Sequence, residues 1–94
     1  MITVRDCNIF TVDFNSLETW KDFNIIVEML SGVYKVKILE QIEGPDARLW
    51  NLELDGFKYA LVNNPYGNYL KAENELSENY LKETFDELQL QFLL

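Results

Sequence analysis

The sequence predicts an α+β fold, a two-layer sandwich in which an antiparallel β-meander carries two helices on one face, in the order β-α-β-β-β-β-α. Three observations lead there. Apolar residues alternate with period two in a series of short segments, tight-turn residues separate most of those segments, and the period changes to helical spacing once near each end. Sequential strands joined by short turns pair antiparallel, and two amphipathic helices then have one sheet face to cover. At 94 residues the chain is expected to form a single domain, because a core divided in two would leave each half too small to offset its own ordering entropy.

The first strand is read at Phe10, Val12 and Phe14, which alternate with Thr11 and Asp13, with a short extended start at Ile2–Val4. Asn15 and Ser16 then offer helix N-caps, and Glu18 follows Asn15 by three residues as in a capping box. Leu17, Trp20, Phe23, Val27 and Leu30 continue at helical spacing until Gly32 closes the helix. On this reading Trp20 belongs to the core, as does Trp50. Period two returns at Val33, where Tyr34, Val36 and Ile38 point one way and Lys35 and Lys37 the other, in a half-exposed strand that ends near Ile42. Gly44-Pro45-Asp46 is turn chemistry, and Trp50, Leu52 and Leu54 mark the next strand. Asp55-Gly56 signals a two-residue hairpin with a type I′ turn, after which Phe57, Tyr59 and Leu61 resume the alternation.

Asn63–Asn68 reads as a loop, since Pro65 donates no hydrogen bond and asparagines favour local bonding. Tyr69–Ala72 makes a short closing strand. From Ser77 onward Leu81, Phe85, Leu88 and Phe92 fall on one face of an amphipathic helix. Residues 88–93 also alternate with period two, which leaves a final strand as the competing reading.

Composition narrows the function classes. Sixteen acids face eight bases, giving a formal charge of −8, and the excess is uneven. Residues 1–30 carry −3, residues 31–72 balance, and residues 73–94 carry −5. Such a chain is repelled by phosphate backbones, so neither direct nucleic-acid binding nor attachment to an anionic membrane surface is expected, whereas a basic protein would be attracted. The lone Cys7 forms no internal disulfide, no run of apolar residues resembles a signal peptide or a membrane span, and a cytoplasmic location is the expectation.

Chemistry finds few handles. With no histidine, the usual serine and cysteine nucleophile pairs are excluded, and the charge of neighbouring Asp6 would raise the thiol pKa of Cys7. Zinc ligands are lacking, no calcium-loop motif occurs, and the four glycines form no phosphate-binding loop, so no enzymatic activity, metal or cofactor is expected. Partner binding is read instead at Glu75, Glu78, Glu83, Asp86 and Glu87, which crowd the outer face of the C-terminal helix with only Lys82 among them. Like charges at i,i+4 spacing, as in Glu83 and Glu87, repel by a few tenths of a kcal/mol, a cost that selection for stability alone would relieve with lysines. Tyr66, between proline and glycine, is the candidate aromatic anchor.

The segment from Glu40 to Glu73, with Gly44, Asp46, Trp50, Leu52 and Gly56, resembles a G-x-D, W-x-L, D-G strand pattern of small bacterial proteins of uncharacterised role. In size, charge and architecture the whole looks like the acidic α+β immunity partners of secreted bacterial toxins. That likeness implies a non-enzymatic inhibitor of a basic, nucleic-acid-handling protein. The competing expectation is a structural subunit, a homodimer joined through a sheet edge or an exposed aromatic patch, in which acidity serves solubility.

Overall fold

The computed structural model describes residues 2–6 and 10–92. Six strands, β1 (Ile2–Asp6), β2 (Phe10–Phe14), β3 (Val36–Glu43), β4 (Arg48–Leu54), β5 (Phe57–Asn64) and β6 (Gly67–Ala72), form one antiparallel sheet in the order β1-β2-β6-β5-β4-β3. Three helices accompany it: α1 (Asp22–Ser31), α2 (Glu75–Glu83) and α3 (Phe85–Gln91). The fold is α+β with β3 to β6 as a meander, as the alternation predicted. Two elements are added to the expected order. The extended start at Ile2 is a full strand, paired with β2 from Ile2 opposite Phe14 to Asp6 opposite Phe10, and the C-terminal helix is two helices. Cys7 and position 93 lie outside the described residues.

Alternation builds the core. Val12, Leu70, Leu61 and Trp50 lie in register across β2, β6, β5 and β4, and all four are buried on the same face. Phe23, Ile26 and Leu30 of α1, Leu81 of α2, and Leu88 and Phe92 at α3 close over that face in one contiguous cluster. Phe14 meets Phe92 with ring centroids 5.0 Å apart, and Phe23 meets Trp50 edge-on at 4.9 Å. Each large side chain so buried contributes about 1.5–3 kcal/mol relative to exposure. Trp50 is core, as its phase predicted.

The Asp55-Gly56 hairpin takes the expected form, with φ of 53° and 90° at its two central residues. Asp55 also secures the hairpin from outside: its carboxylate accepts the Lys35 backbone N–H at 2.7 Å and the Tyr80 hydroxyl at 2.5 Å. Those two bonds hold the Asp55 carboxyl below its ordinary pKa, and the nearby carboxylate pushes the Tyr80 phenol up to about 12.

Four local readings are corrected. The helix does not start from Asn15 and Ser16, because Ser16 takes φ of 74° and the chain turns through residues 15–21 before α1. A reciprocal pair four residues later replaces the expected box: the Asp22 carboxylate accepts the Thr19 N–H at 3.2 Å, and the Asp22 N–H donates to the Thr19 hydroxyl at 3.3 Å. Trp20, on that turn, is therefore 39% exposed and not a core residue. Residues 63–68 are not a loop: Asn63 pairs with Asn68 and Asn64 with Gly67, leaving Pro65-Tyr66 as a two-residue turn. The C-terminal segment starts from Asn74, whose side chain accepts the Ser77 N–H at 2.8 Å, and breaks at Thr84. The Thr84 hydroxyl lies 2.9 Å from the Tyr80 carbonyl and 2.7 Å from the Tyr34 hydroxyl, a back-bonding that bends helices. Up to Gln91 the segment is helix, not strand.

Candidate functional site: an acidic helical layer

Charge separates by layer. The six strands carry five acids and five bases, the three helices carry seven acids and one base, and the connections carry four and two. The sheet interleaves its charges in register, since Glu53 of β4 lies between Lys37 of β3 and Lys58 of β5. Opposite charges on neighbouring strands compensate one another. The helices have no such supply, so −6 of the total −8 resides on them.

The five acids read from the sequence all belong to this layer. Glu75, Glu83, Asp86 and Glu87 are exposed, and Glu78 is half-buried beside Lys82, with its Oε2 3.8 Å from the Lys82 Nζ. The i,i+4 repulsion expected between Glu83 and Glu87 does not belong to one continuous helix, because Thr84 interrupts it. Glu75 and Glu78 stand in the first turn of α2, and Asp86 and Glu87 in the first turn of α3. Acids at helix N-termini are favoured by about 0.3–1 kcal/mol each through the helix dipole. The break thus makes a second dipole end, so four of the five acids stand at a favourable helix end, and of these Glu78 also has Lys82 beside it. Only Glu83, at the C-terminal end of α2, sits where a negative charge is disfavoured.

Tyr66 is 94% exposed at the β5–β6 turn. It stands at the Gly67 end of β6, whereas α2 follows the Ala72 end. The six residues of β6 span about 20 Å, so Tyr66 does not join Glu75 and Glu78 in one site.

A polar row that the sequence reading missed lies at that turn-bearing end of the sheet, on the helix-covered face. Glu43, Arg48, Asn63 and Asn68 are in register across β3, β4, β5 and β6. The Arg48 guanidinium, with its side chain 8% exposed, sits 3.7 Å from the centroid of Trp20, 4.9 Å from Phe23 and 5.7 Å from Trp50. Its Nε is 3.7 Å from a Glu43 oxygen and has no hydrogen-bond acceptor, while Trp50 Nε1 reaches the same oxygen at 3.4 Å. Asn63 donates to Asn68 at 2.7 Å, and Asn68 donates to the carbonyls of Leu17 at 2.7 Å and Thr19 at 3.1 Å. The row thereby fastens the 15–21 turn, and Trp20 with it, to the sheet. The signal was present in the sequence, since Arg48 is in phase with Trp50, Leu52 and Leu54.

Among the described residues no three acids or cysteines come close enough to hold a metal ion. A shallow depression of about 270 Å³ lies beside β3, lined by Leu39, Glu40, Asn51, Lys58 and Glu73 among others, and it mixes both charge signs. No helix of the described residues is long and apolar enough to cross a membrane. No protein-family model, no curated protein and no solved structure matches this chain.

Proposed function

We propose that this chain is a non-enzymatic binding protein whose helical layer docks on a basic surface of a partner protein. An inhibitor or immunity-type partner of a nucleic-acid-handling protein is the role that suits it, acting in the cytoplasm by covering the partner's phosphate-binding surface. The observation that carries this reading is the confinement of −6 of the −8 charge to the helices while the sheet balances its own charges. An acidity that served solubility alone would have no reason to leave one layer neutral. A one-sided field steers a cationic partner to that side, and both association rate and affinity then fall with salt. Binding relies on Glu75, Glu78, Glu83, Asp86 and Glu87, and Tyr66 is left as a separate contact.

The test compares two charge-reversed baits of equal net charge. One carries Glu83→Lys, Asp86→Lys and Glu87→Lys on the helices; the other carries Asp46→Lys, Glu53→Lys and Glu73→Lys on the sheet and its connections. Each is used with the unaltered chain to capture proteins from the cells that make it, at low and at high salt. A basic protein retained by the unaltered chain and by the sheet variant, lost by the helical variant and released by salt, is the expected result. Equal retention by both variants would remove the helical layer from the mechanism.

A further inference from the structure

The sheet ends at β3, and this edge is open. Every residue from Lys37 to Glu43 is exposed, and no described strand pairs with its outer side. Three large aliphatics stand in it, Ile38 and Leu39 each 42% exposed and Ile42 51% exposed. Edge strands that must remain single are usually short, charged or distorted, because their free N–H and C=O groups form a template for another strand. Here the strand is eight residues long, its distortion is one shift of register between Ile38 and Glu40, and its single lysine is followed by two glutamates.

The order of those charges selects the partner. Lys37, preceded by Lys35, is in the first half of the segment, and Glu40 and Glu43 are in the second. Laid antiparallel on a second copy about a two-fold axis between Ile38 and Leu39, each Lys37 comes opposite Glu40 of the other copy. The two Ile38–Leu39 pairs then meet at the axis. A parallel arrangement would place like charges together. Lys37 and Glu40 both project to the uncovered sheet face, since Lys37 is opposite Glu53 and Glu40 is opposite Asn51, whose side chain donates to Glu40 at 3.0 Å. Cross-strand ion pairs form on one face, so this geometry permits them.

The acid-rich α2 does not oppose such a pairing, and α1, the helix that reaches β3, carries only Asp22 and Glu28. α2 packs over β5 and β6, the third and fourth strands from this edge. At a strand spacing of about 4.8 Å, β5 lies about 12 Å from the axis, so the α2 helices of two copies are about 24 Å or more apart. That separation exceeds the Debye length of about 8 Å at physiological salt. We propose that β3 is a self-pairing edge through which two copies of this chain join their sheets, with Lys37 of each opposite Glu40 of the other. The inference is independent of the partner proposed above, and a dimer would present two acidic faces on one side.

Sedimentation of the full chain over a concentration series tests it, with Lys37→Glu, Glu40→Lys and the double exchange as variants and far-UV circular dichroism as the check on folding. The expected result is a dimer that each single reversal weakens about tenfold or more, by setting like charges opposite twice per dimer, and that the double exchange restores. Lys37 is exposed, so its reversal carries the test even if Glu40→Lys proves poorly folded through loss of the Asn51 bond. A chain that stays monomeric to millimolar concentration would overturn the proposal. So would a dimer indifferent to Lys37→Glu, or a folded double exchange that fails to restore association.

Discussion

Replacing Trp20 by alanine should destabilise the protein by about 2 kcal/mol, and roughly half of that loss should disappear when Arg48 is already methionine. The geometry sets the figure. The guanidinium lies 3.7 Å from the Trp20 ring centroid, well inside the roughly 6 Å range of a cation–π contact, and only 8% of the side chain reaches water. Such contacts are worth about 0.5–1 kcal/mol when exposed and about 2 when desolvated; Trp20 itself is 39% exposed, which places this one near 1 kcal/mol. The remaining loss is apolar area, for the buried part of the indole is uncovered when the ring is removed. Methionine keeps most of the apolar stem of Arg48 and deletes the charge, so the double-mutant cycle isolates the ring–cation term. Urea unfolding of the four proteins at one pH supplies the cycle. A coupling of about 1 kcal/mol is expected, together with a fall in Tm of roughly 10 °C for Trp20→Ala in a domain of this size. A coupling within about 0.3 kcal/mol of zero would refute the reasoning, since residues that do not interact add to that precision.

The Asp55–Tyr80 bond gives a pH signature at both ends of the scale. Asp55 has a lowered pKa in the folded protein, so its contribution is present above the unfolded value of 3.8 and is lost as pH falls through the folded one. Tyr80 is raised, so its contribution is complete below the ordinary value of 10.0 and is lost as pH rises toward about 12. In Tyr80→Phe both slopes should shrink, with less than about 1 kcal/mol lost at neutral pH because the pair faces solvent; unfolding curves with the unaltered slopes would count against this bond. Tyr59→Phe should cost about 1–2 kcal/mol in chemical unfolding, because the buried phenol donates to the Ser77 carbonyl at 2.7 Å and its loss removes a buried partner. A change below a few tenths would mean that the carbonyl is satisfied without it.

The β4–β5 hairpin was legible because its information is local: Asp55-Gly56 dictates positive φ, and the flanking alternation dictates the faces. The same holds for Trp50, whose phase agrees with Leu52 and Leu54. What escaped was decided by residues distant in the chain. Trp20 continues the helical period of Phe23 and Leu30, yet Asn68 draws the carbonyls of Leu17 and Thr19 to the sheet and the period starts too late to include it. Pro65 suggested a long loop, but it occupies a turn position where a donor is not required, so the ladder runs on to Asn64 and Gly67. Thr84 was invisible in the apolar pattern of Leu81, Phe85, Leu88 and Phe92 because a break need not disturb the phase of the buried face. The five acids were legible as a group from composition. The placement of four of them in two first turns was not, since the second of those turns depends on that break, and Tyr66 proved too far from α2 to belong with them.

The Asn63–Asn68 pair also fixes how β5 and β6 may be aligned. Sliding one strand by two residues keeps every side chain on its own face, but it would set Leu61 opposite Asn68 or Leu70 opposite Asn63 and break the amide pair. Purely aliphatic residues at these positions would tolerate that two-residue slip at smaller cost, because one greasy side chain replaces another on the same face. Two amides facing each other under the helices accept a single alignment, so this sheet has one arrangement available to it where an oilier one would have several.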